Sequence, residues 1–289
     1  MNEGKPSGFV ATESQRRSAE VEILKRSGNQ TKPLDDLVSI EEPLEIRIAG
    51  PDFDETPLAI TMRTPGHDNE LTLGFLFSEG IIRSVGDIIS LEHCRPASPD
   101  KGIHNSICAT LAPGAVFKPE HLQRHFYTSS SCGVCGKTSI ESVMDKTFAK
   151  ITDTLRISHN DLQLLPDSLR QCQNEFARTG GIHAAGLIVG TGNLTEVRED
   201  IGRHNALDKL IGACLIKGSV PLRGHGVLLS GRAGFELMQK AAMAGAELVA
   251  SIGPPSSLSV ELAMNSGQTL AGFVSGAGYN LYCHQQRVV

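Results

Sequence analysis

"HAAGLIVGTGNLTEVRED" (residues 183–200) decides the fold. Two strand-like runs flank a Gly-Asn pair, the signal of a β-hairpin. Beyond it the chain alternates between helix and strand. "NALDKLIGACLIKG" (205–218) places Leu207, Leu210, Ile211, Cys214 and Leu215 on one helical stripe. "GVLLSG" (226–231) reads as a buried strand and "FELMQKAAMAG" (235–245) as a helix stopped at Gly245. "ELVASIG" (247–253) is a strand, "SSLSVELAMNSG" (256–267) a serine-capped helix, and "TLAGFVSG" (269–276) the expected final strand. A hairpin followed by alternating helices and strands implies an α/β layer on a largely parallel sheet.

Upstream the pattern is shorter and more mixed. "PLEIRIAG" (43–50) and "TPLAITMRT" (56–64) alternate as strands do. "TPGHDNELTLGFLFSEGII" (64–82) predicts a helix capped by Asp68, with Leu71, Phe75 and Leu76 on one face. "GDIISLEHC" (86–94) and "NSICATLAP" (105–113) predict further strands, and 118–126 and 138–148 short helices. The expected organisation is a disordered polar tail over 1–18, a smaller α+β subdomain over 19–150, and an α/β domain over 151–289.

Composition narrows the function classes. The chain has 289 residues and a net charge of −5, so it is not a polyanion binder as a whole. Aromatic content of 4% and the absence of Trp argue against a stacked-base platform for nucleic acid. No N-terminal apolar region marks a secretory signal, and no run of 18 apolar residues marks a membrane span. Seven cysteines at irregular spacing do not form a secreted framework, which points to the cytoplasm.

Two of those cysteines stand together in "SSSCGVCGK" (129–137). Cys132 and Cys135 sit among residues too small and polar to pack a core around them. A structural zinc ion needs four ligands, and no second CxxC or closely spaced His pair accompanies this one, so no metal is expected. A thioredoxin-type disulfide needs a buried strand before it, which "HLQRHFYT" does not supply. Two inert thiols in a loop is the bland reading. A sulfur carrier uses the local chemistry best: Lys137 and a following helix start favour a thiolate, and Gly133 and Gly136 let the loop move between donor and acceptor. A neighbouring thiol can attack either sulfur of a persulfide.

A second constellation is "EDIGRHNALDK" (199–209). Arg203, His204 and Asn205 open a predicted helix, where backbone amides favour anions. Arg203 is a candidate phosphate partner and Asp200 a candidate for a sugar hydroxyl or a base. A charged, capped helix start explains the same residues without a ligand. "SGRAG" (230–234) and "FVSGAG" (273–278) are further Gly-rich strand ends, and three such ends on one sheet make a nucleotide site plausible. A zinc deaminase also pairs such a His with a CxxC, but it needs H-x-E before P-C-x-x-C. Ala185 occupies the position of that Glu, and the CxxC precedes the His.

These motifs, with "EPLEIRI", "TGGIHAAGL", "LLSGR" and "NLY", resemble the FdhD/NarQ family of accessory sulfurtransferases for formate dehydrogenase, from about residue 42 to the C-terminus. The resemblance implies a cytidine deaminase-like mixed sheet flanked by helices, in a homodimer. It implies sulfur received from a cysteine desulfurase and passed to the molybdenum or tungsten cofactor bis(molybdopterin guanine dinucleotide), for the formate dehydrogenase apoenzyme. By the same resemblance Cys132 bears the persulfide and Cys135 is its partner. Phe273, Val274, Ser275, Gly276, Ala277 and Gly278 then fall where the family binds the guanine dinucleotide, for which GDP is an analogue. Two departures remove polar contacts: Gly234 stands where many members carry Ser, and Ser275 where many carry Arg. A non-catalytic cofactor chaperone is the alternative, and such a protein needs no reactive thiol.

Overall fold

The computed structural model describes residues 16–98, 103–115, 151–190 and 192–289. In chain order the strands are β1 (Ser18–Ser27), β2 (Gln30–Ser39), β3 (Glu42–Gly50), β4 (Phe53–Arg63), β5 (Ile88–Ser98), β6 (Ile103–Leu111), β7 (His183–Ile188), β8 (Leu194–Asp200), β9 (Gly226–Leu229), β10 (Leu248–Ser251), β11 (Thr269–Ser275) and β12 (Gly278–Cys283). The helices are α1 (Asp68–Ser78), α2 (His159–Cys172), α3 (Asn174–Thr179), α4 (Arg203–Ile216), α5 (Phe235–Met243) and α6 (Ser257–Ser266). The helices expected at 118–126 and 138–148 lie outside the described residues.

Six strands form the main sheet in the order β12-β11-β10-β9-β7-β8. β9, β10 and β11 run parallel, with β7 and β12 antiparallel to their neighbours. Every residue of β9 and β10 is buried, which is why both read as unbroken apolar runs. Period-two alternation sends side chains to two separate cores. Ala184, Ile188, Leu228, Leu248, Ala250 and Ala271 meet Leu162, Leu165 and Leu169 of α2 on one face. Ala185, Leu187, Val227, Leu229 and Val249 meet α4, α5 and α6 on the other. This is the mixed, helix-flanked sheet the sequence predicts.

The second sheet has the order β4-β3-β6-β5 and packs with α1 against the outer side of α4. One hydrophobic cluster runs from Leu44 to Cys283, across the expected division at residue 150. α4 therefore lies between two layers and is buried on all sides from Asn205 to Leu215, not along a single stripe. The helices α1 and α4 cross at glycines: a Cβ on Gly74 would stand 1.9 Å from the Asp208 carbonyl oxygen, and one on Gly212 1.9 Å from that of Glu70.

Two expectations are corrected. Asp68 does not cap α1; His67 does, with a left-handed backbone, while Asp68 is buried and forms a two-pronged pair with Arg63 at 3.0 Å. β11 is not the last strand, because β12 returns antiparallel beside it. At the start of the described residues β1 and β2 form a two-stranded ribbon from Ser18, turning at Gly28, and Arg17 donates to the Glu199 carbonyl at 2.9 Å. No helix among the described residues is long and apolar enough to cross a membrane.

Glu247, fully buried, ties the segment entering α2 to the sheet. Its carboxylate accepts from the N–H groups of Thr154, Leu155 and Gly224 at 2.7–2.8 Å and from the hydroxyls of Thr152 and Thr154. Burial alone would raise its pKa, but these donors hold it at about 2, below the ordinary 4.5. A depressed folded pKa contributes stability that is complete above the unfolded value and is lost as pH falls through the folded one. Stability should therefore decline from about pH 4.5 towards pH 2, with Glu70, held at about 2 against burial by Arg198 and His67, contributing in the same window. Urea melts of Glu247→Gln should show a shallower acid limb and a loss of order 3 kcal/mol at neutral pH.

Candidate functional site

Topology gathers the chemistry at one edge of the main sheet. The carboxyl ends of β8, β9, β10 and β11 emerge there together with the start of β7, the edge at which open α/β sheets bind ligands. The turns leaving these strands carry all three Gly-rich segments singled out in the sequence. Beside the turns after β8 and β9 lies a cleft of about 360 Å³, lined by Arg170, Gln173, Phe176, Gly180, Gly181, Ile182, His183, Ile201, Ser230 and Ile252. The α2–α3 corner forms one wall, with the Arg170 guanidinium 4.0 Å from the Phe176 ring centroid.

His183 begins β7 and is held by the end of β9. The Ala184 N–H donates to Ser230 Oγ at 2.8 Å, and Ser230 Oγ lies 3.3 Å from His183 Nδ1. The Ser230 hydroxyl can donate to Nδ1 or accept from it, according to the tautomer of the ring. Burial lowers the His183 pKa, and the neighbouring charges of Arg203 and His204 lower it further. Gly231 makes room for this packing, since a Cβ there would lie 3.3 Å from the imidazole.

The helix start at residue 203 divides its residues between structure and site. Asp200 is wholly buried: it pairs with Lys209 at 2.6 Å and accepts from Thr64 N–H, Gly202 N–H and Asn205 Nδ2. It cannot reach a sugar or a base. Its carboxylate already supplies the anion that the start of α4 favours. Asn205 is turned inward too, donating to the Met62 carbonyl at 2.7 Å and accepting from Thr61 at 3.0 Å. His204 Nε2 stands 3.2 Å from Glu236 at the start of α5. Arg203 differs from both, since its Nε is buried and finds no partner among the described residues.

The turn after β11 lies two strands from the cleft's centre and contributes none of its lining. Phe273 is half exposed and holds a left-handed backbone (φ 55°), an uncommon conformation for a bulky residue. Its N–H donates to the Gly253 carbonyl at 3.3 Å, one residue beyond the cleft-lining Ile252. Val274 is wholly buried in the α2-side core, so its side chain faces away from any ligand. Ser275 Oγ donates to the Gly278 carbonyl at 3.1 Å and closes the turn, with Gly276 and Ala277 at its tip. Cys132 and Cys135 lie outside the described residues. Ser230 opens one of the Gly-rich segments singled out in the sequence and His183 lies in "TGGIHAAGL", whereas nothing in the sequence pointed to Gln173.

Comparison with known proteins agrees with this architecture. The chain is 48% identical over 261 residues to the Sulfur carrier protein FdhD of Streptomyces avermitilis, covering 89% of this chain and 90% of that one. It is 43% identical over 267 residues to the Sulfur carrier protein FdhD of Mycobacterium tuberculosis, covering 91% and 95%. A crystal structure of a candidate formate dehydrogenase accessory protein from Desulfotalea psychrophila shares the fold, with a TM-score of 0.74 and 23% identity over 95% of this chain and 100% of that one. The model of the FdhD/NarQ family matches residues 39–289, and on that match and those identities the chain belongs to the FdhD/NarQ family.

Proposed function

We propose that this chain is a sulfur carrier in formate dehydrogenase maturation. It accepts sulfur from a cysteine desulfurase as a persulfide on Cys132 and delivers it to the molybdenum or tungsten bis(molybdopterin guanine dinucleotide) cofactor, which it binds as a substrate on behalf of the formate dehydrogenase apoenzyme. It acts as a cytoplasmic homodimer. The observation that carries the reading is the donor-lined cleft at the carboxyl edge of the sheet, in a chain of this family. On the same edge of the sheet Phe273 offers a half-exposed ring, and Arg203 opens α4 with a buried Nε that finds no partner among the described residues.

The thiols support the same division of labour. Burial pushes Cys108 and Cys214 up to about 11 and raises Cys283, so these three are poor nucleophiles. In loading, a Cys132 thiolate attacks the outer sulfur of the desulfurase persulfide, and the desulfurase cysteine leaves as a thiolate. Attack by Cys135 on the inner sulfur then releases sulfide and leaves a Cys132–Cys135 disulfide.

The test is to incubate the protein with a desulfurase and cysteine and weigh the peptide bearing Cys132. One added sulfur atom is expected, removable by a reducing thiol. In parallel, GDP at a hundredfold excess over its Kd should stabilise the protein by about 2.7 kcal/mol. GDP binding without any added sulfur would leave a cofactor chaperone instead.

A further inference from the structure

The β1–β2 ribbon stands on a narrow root beside the cleft. At that root the Ile40 N–H donates to the Arg17 carbonyl at 2.8 Å, and Ser39 Oγ lies 2.7 Å from Thr179 Oγ1 at the end of α3. Phe176 of α3 and the following Gly180 and Gly181 line the cleft, so the ribbon is anchored on the cleft's own wall. Away from the root, every residue from Leu24 to Asp36 is exposed. Residues directly opposite each other across a ribbon share a face. The register pairs Ala19 with Val38, Val21 with Asp36, Ile23 with Leu34 and Lys25 with Lys32. One face is therefore mostly apolar up to a pair of lysines at the tip, while Glu20, Glu22 and Asp35 fall on the other. On the apolar face Leu34 and Val38 are 39% and 42% exposed. A two-stranded ribbon is marginally stable in water unless something packs against it. Lys25 and Lys32 stand where like charges destabilise, and Arg26 adds a third cation beside them. A partner that is apolar in the middle and carries carboxylates at the tip would relieve both.

We infer that this ribbon is a docking arm for the protein that receives the cofactor, the formate dehydrogenase apoenzyme. It grips a patch that is apolar at its centre and acidic where Lys25, Arg26 and Lys32 fall. Position decides among the occupants. Because the ribbon is rooted on the cleft wall, a protein held along it is kept beside the cleft, where a recipient must stand for the cofactor to pass directly. The cationic tip supplies local attraction for carboxylates on a chain whose net charge is −5. The inference rests on the proposed delivery of the cofactor and names the surface that directs it.

Lys32→Glu separates docking from structure, because the two move in opposite directions. Opposite charges facing each other across the strands stabilise a ribbon, so this variant should melt no lower than the wild type. Its affinity for the apoenzyme, measured by biolayer interferometry, should nevertheless fall at least about tenfold, and added salt should weaken the wild type more than the variant. Leu34→Ser should weaken binding about tenfold as well. Loading of sulfur from the desulfurase, and the mass by light scattering, should stay as in the wild type. Variants that bind the apoenzyme as tightly as the wild type would overturn the docking arm and leave the sulfur-carrier reading standing. So would a change of mass in Leu34→Ser, which would put a second copy of the chain on this face, or a loss of loading, which would put the desulfurase there. A wild type that does not bind the apoenzyme at all would overturn the delivery reading, and this inference with it.

Discussion

Gly212→Ala and Gly74→Ala should each destabilise the protein by at least about 3 kcal/mol, the upper end of overpacking costs. On helix propensity alone the sign would be opposite, because Ala is the better helix former by about 1 kcal/mol. The tertiary contact decides. Each new Cβ would stand 1.9 Å from a carbonyl oxygen of the facing helix, Glu70 for Gly212 and Asp208 for Gly74. A backbone oxygen cannot rotate aside as the end of a flexible side chain can, so the helices must part. Parting them strips contacts from Leu71, Leu207, Leu210 and Ile211, all fully or almost fully buried. It also strains polar anchors on both helices. Asp208 is tied to Lys240 at 2.7 Å and to Ser78 at 3.0 Å, and Glu70 to Arg198 at 2.8 Å. Gly190→Ala is the control, since nothing lies within 4 Å of a Cβ there. Urea denaturation of the three variants measures the effect, and losses below about 1 kcal/mol at both crossing positions would refute the close approach.

The elements easiest to read in the sequence were those whose surroundings are uniform. β9 and β10 are enclosed on both faces, so "GVLL" and "LVAS" appear as apolar runs. α4 was read as a stripe because periodicity weighs the large residues. Ala206, Gly212 and Ala213 are as buried as the leucines, and their smallness is what admits α1. β12 escaped notice because "GYNLYC" is a half-exposed edge strand with little alternation. The β1–β2 ribbon escaped for a related reason, since most of its residues are exposed and no core imposes a pattern on it.

The site was less legible than the fold. Polar residues in "EDIGRHNALDK" have two possible destinations, a ligand or a partner far away in sequence, and only the folded chain decides. Asp200, Asn205 and Lys209 turn out to fasten the start of α4 to the chain at Met62 and Thr64. Those partners lie more than a hundred residues upstream, beyond any local pattern. The cleft was hidden for the converse reason. Gln173, His183, Ser230 and Ile252 come from four separate segments, and each looks unremarkable alone. What the sequence did offer was the rule that ligands gather beyond strand ends, which named the edge but not the residues.

Cys132→Ala should abolish activation of formate dehydrogenase while changing stability by no more than about 0.5 kcal/mol. The reason is family resemblance, together with the burial that holds three of the other cysteines as thiols. A carrier must be ionised to capture sulfur, because the thiolate is the nucleophile. Cys108, Cys214 and Cys283 are held as thiols by burial, and the last two are almost wholly enclosed, where neither a desulfurase nor a cofactor can reach them. Cys172 is exposed at the end of α2 and serves as the control, its replacement by Ala leaving activation intact. In the CxxC the neighbours are small and polar, so the sequence invests nothing there in packing, and removing one sulfur should cost the fold little. Cys135→Ala separates carrier from assistant. It should still load sulfur on Cys132 but release it more slowly, because the inner-sulfur attack is lost. Each variant is loaded with a desulfurase and cysteine, weighed for added sulfur, and assayed for activation of the apoenzyme. Full activation by Cys132→Ala would remove it as the carrier. A large fall in melting temperature with release of zinc would make the pair structural.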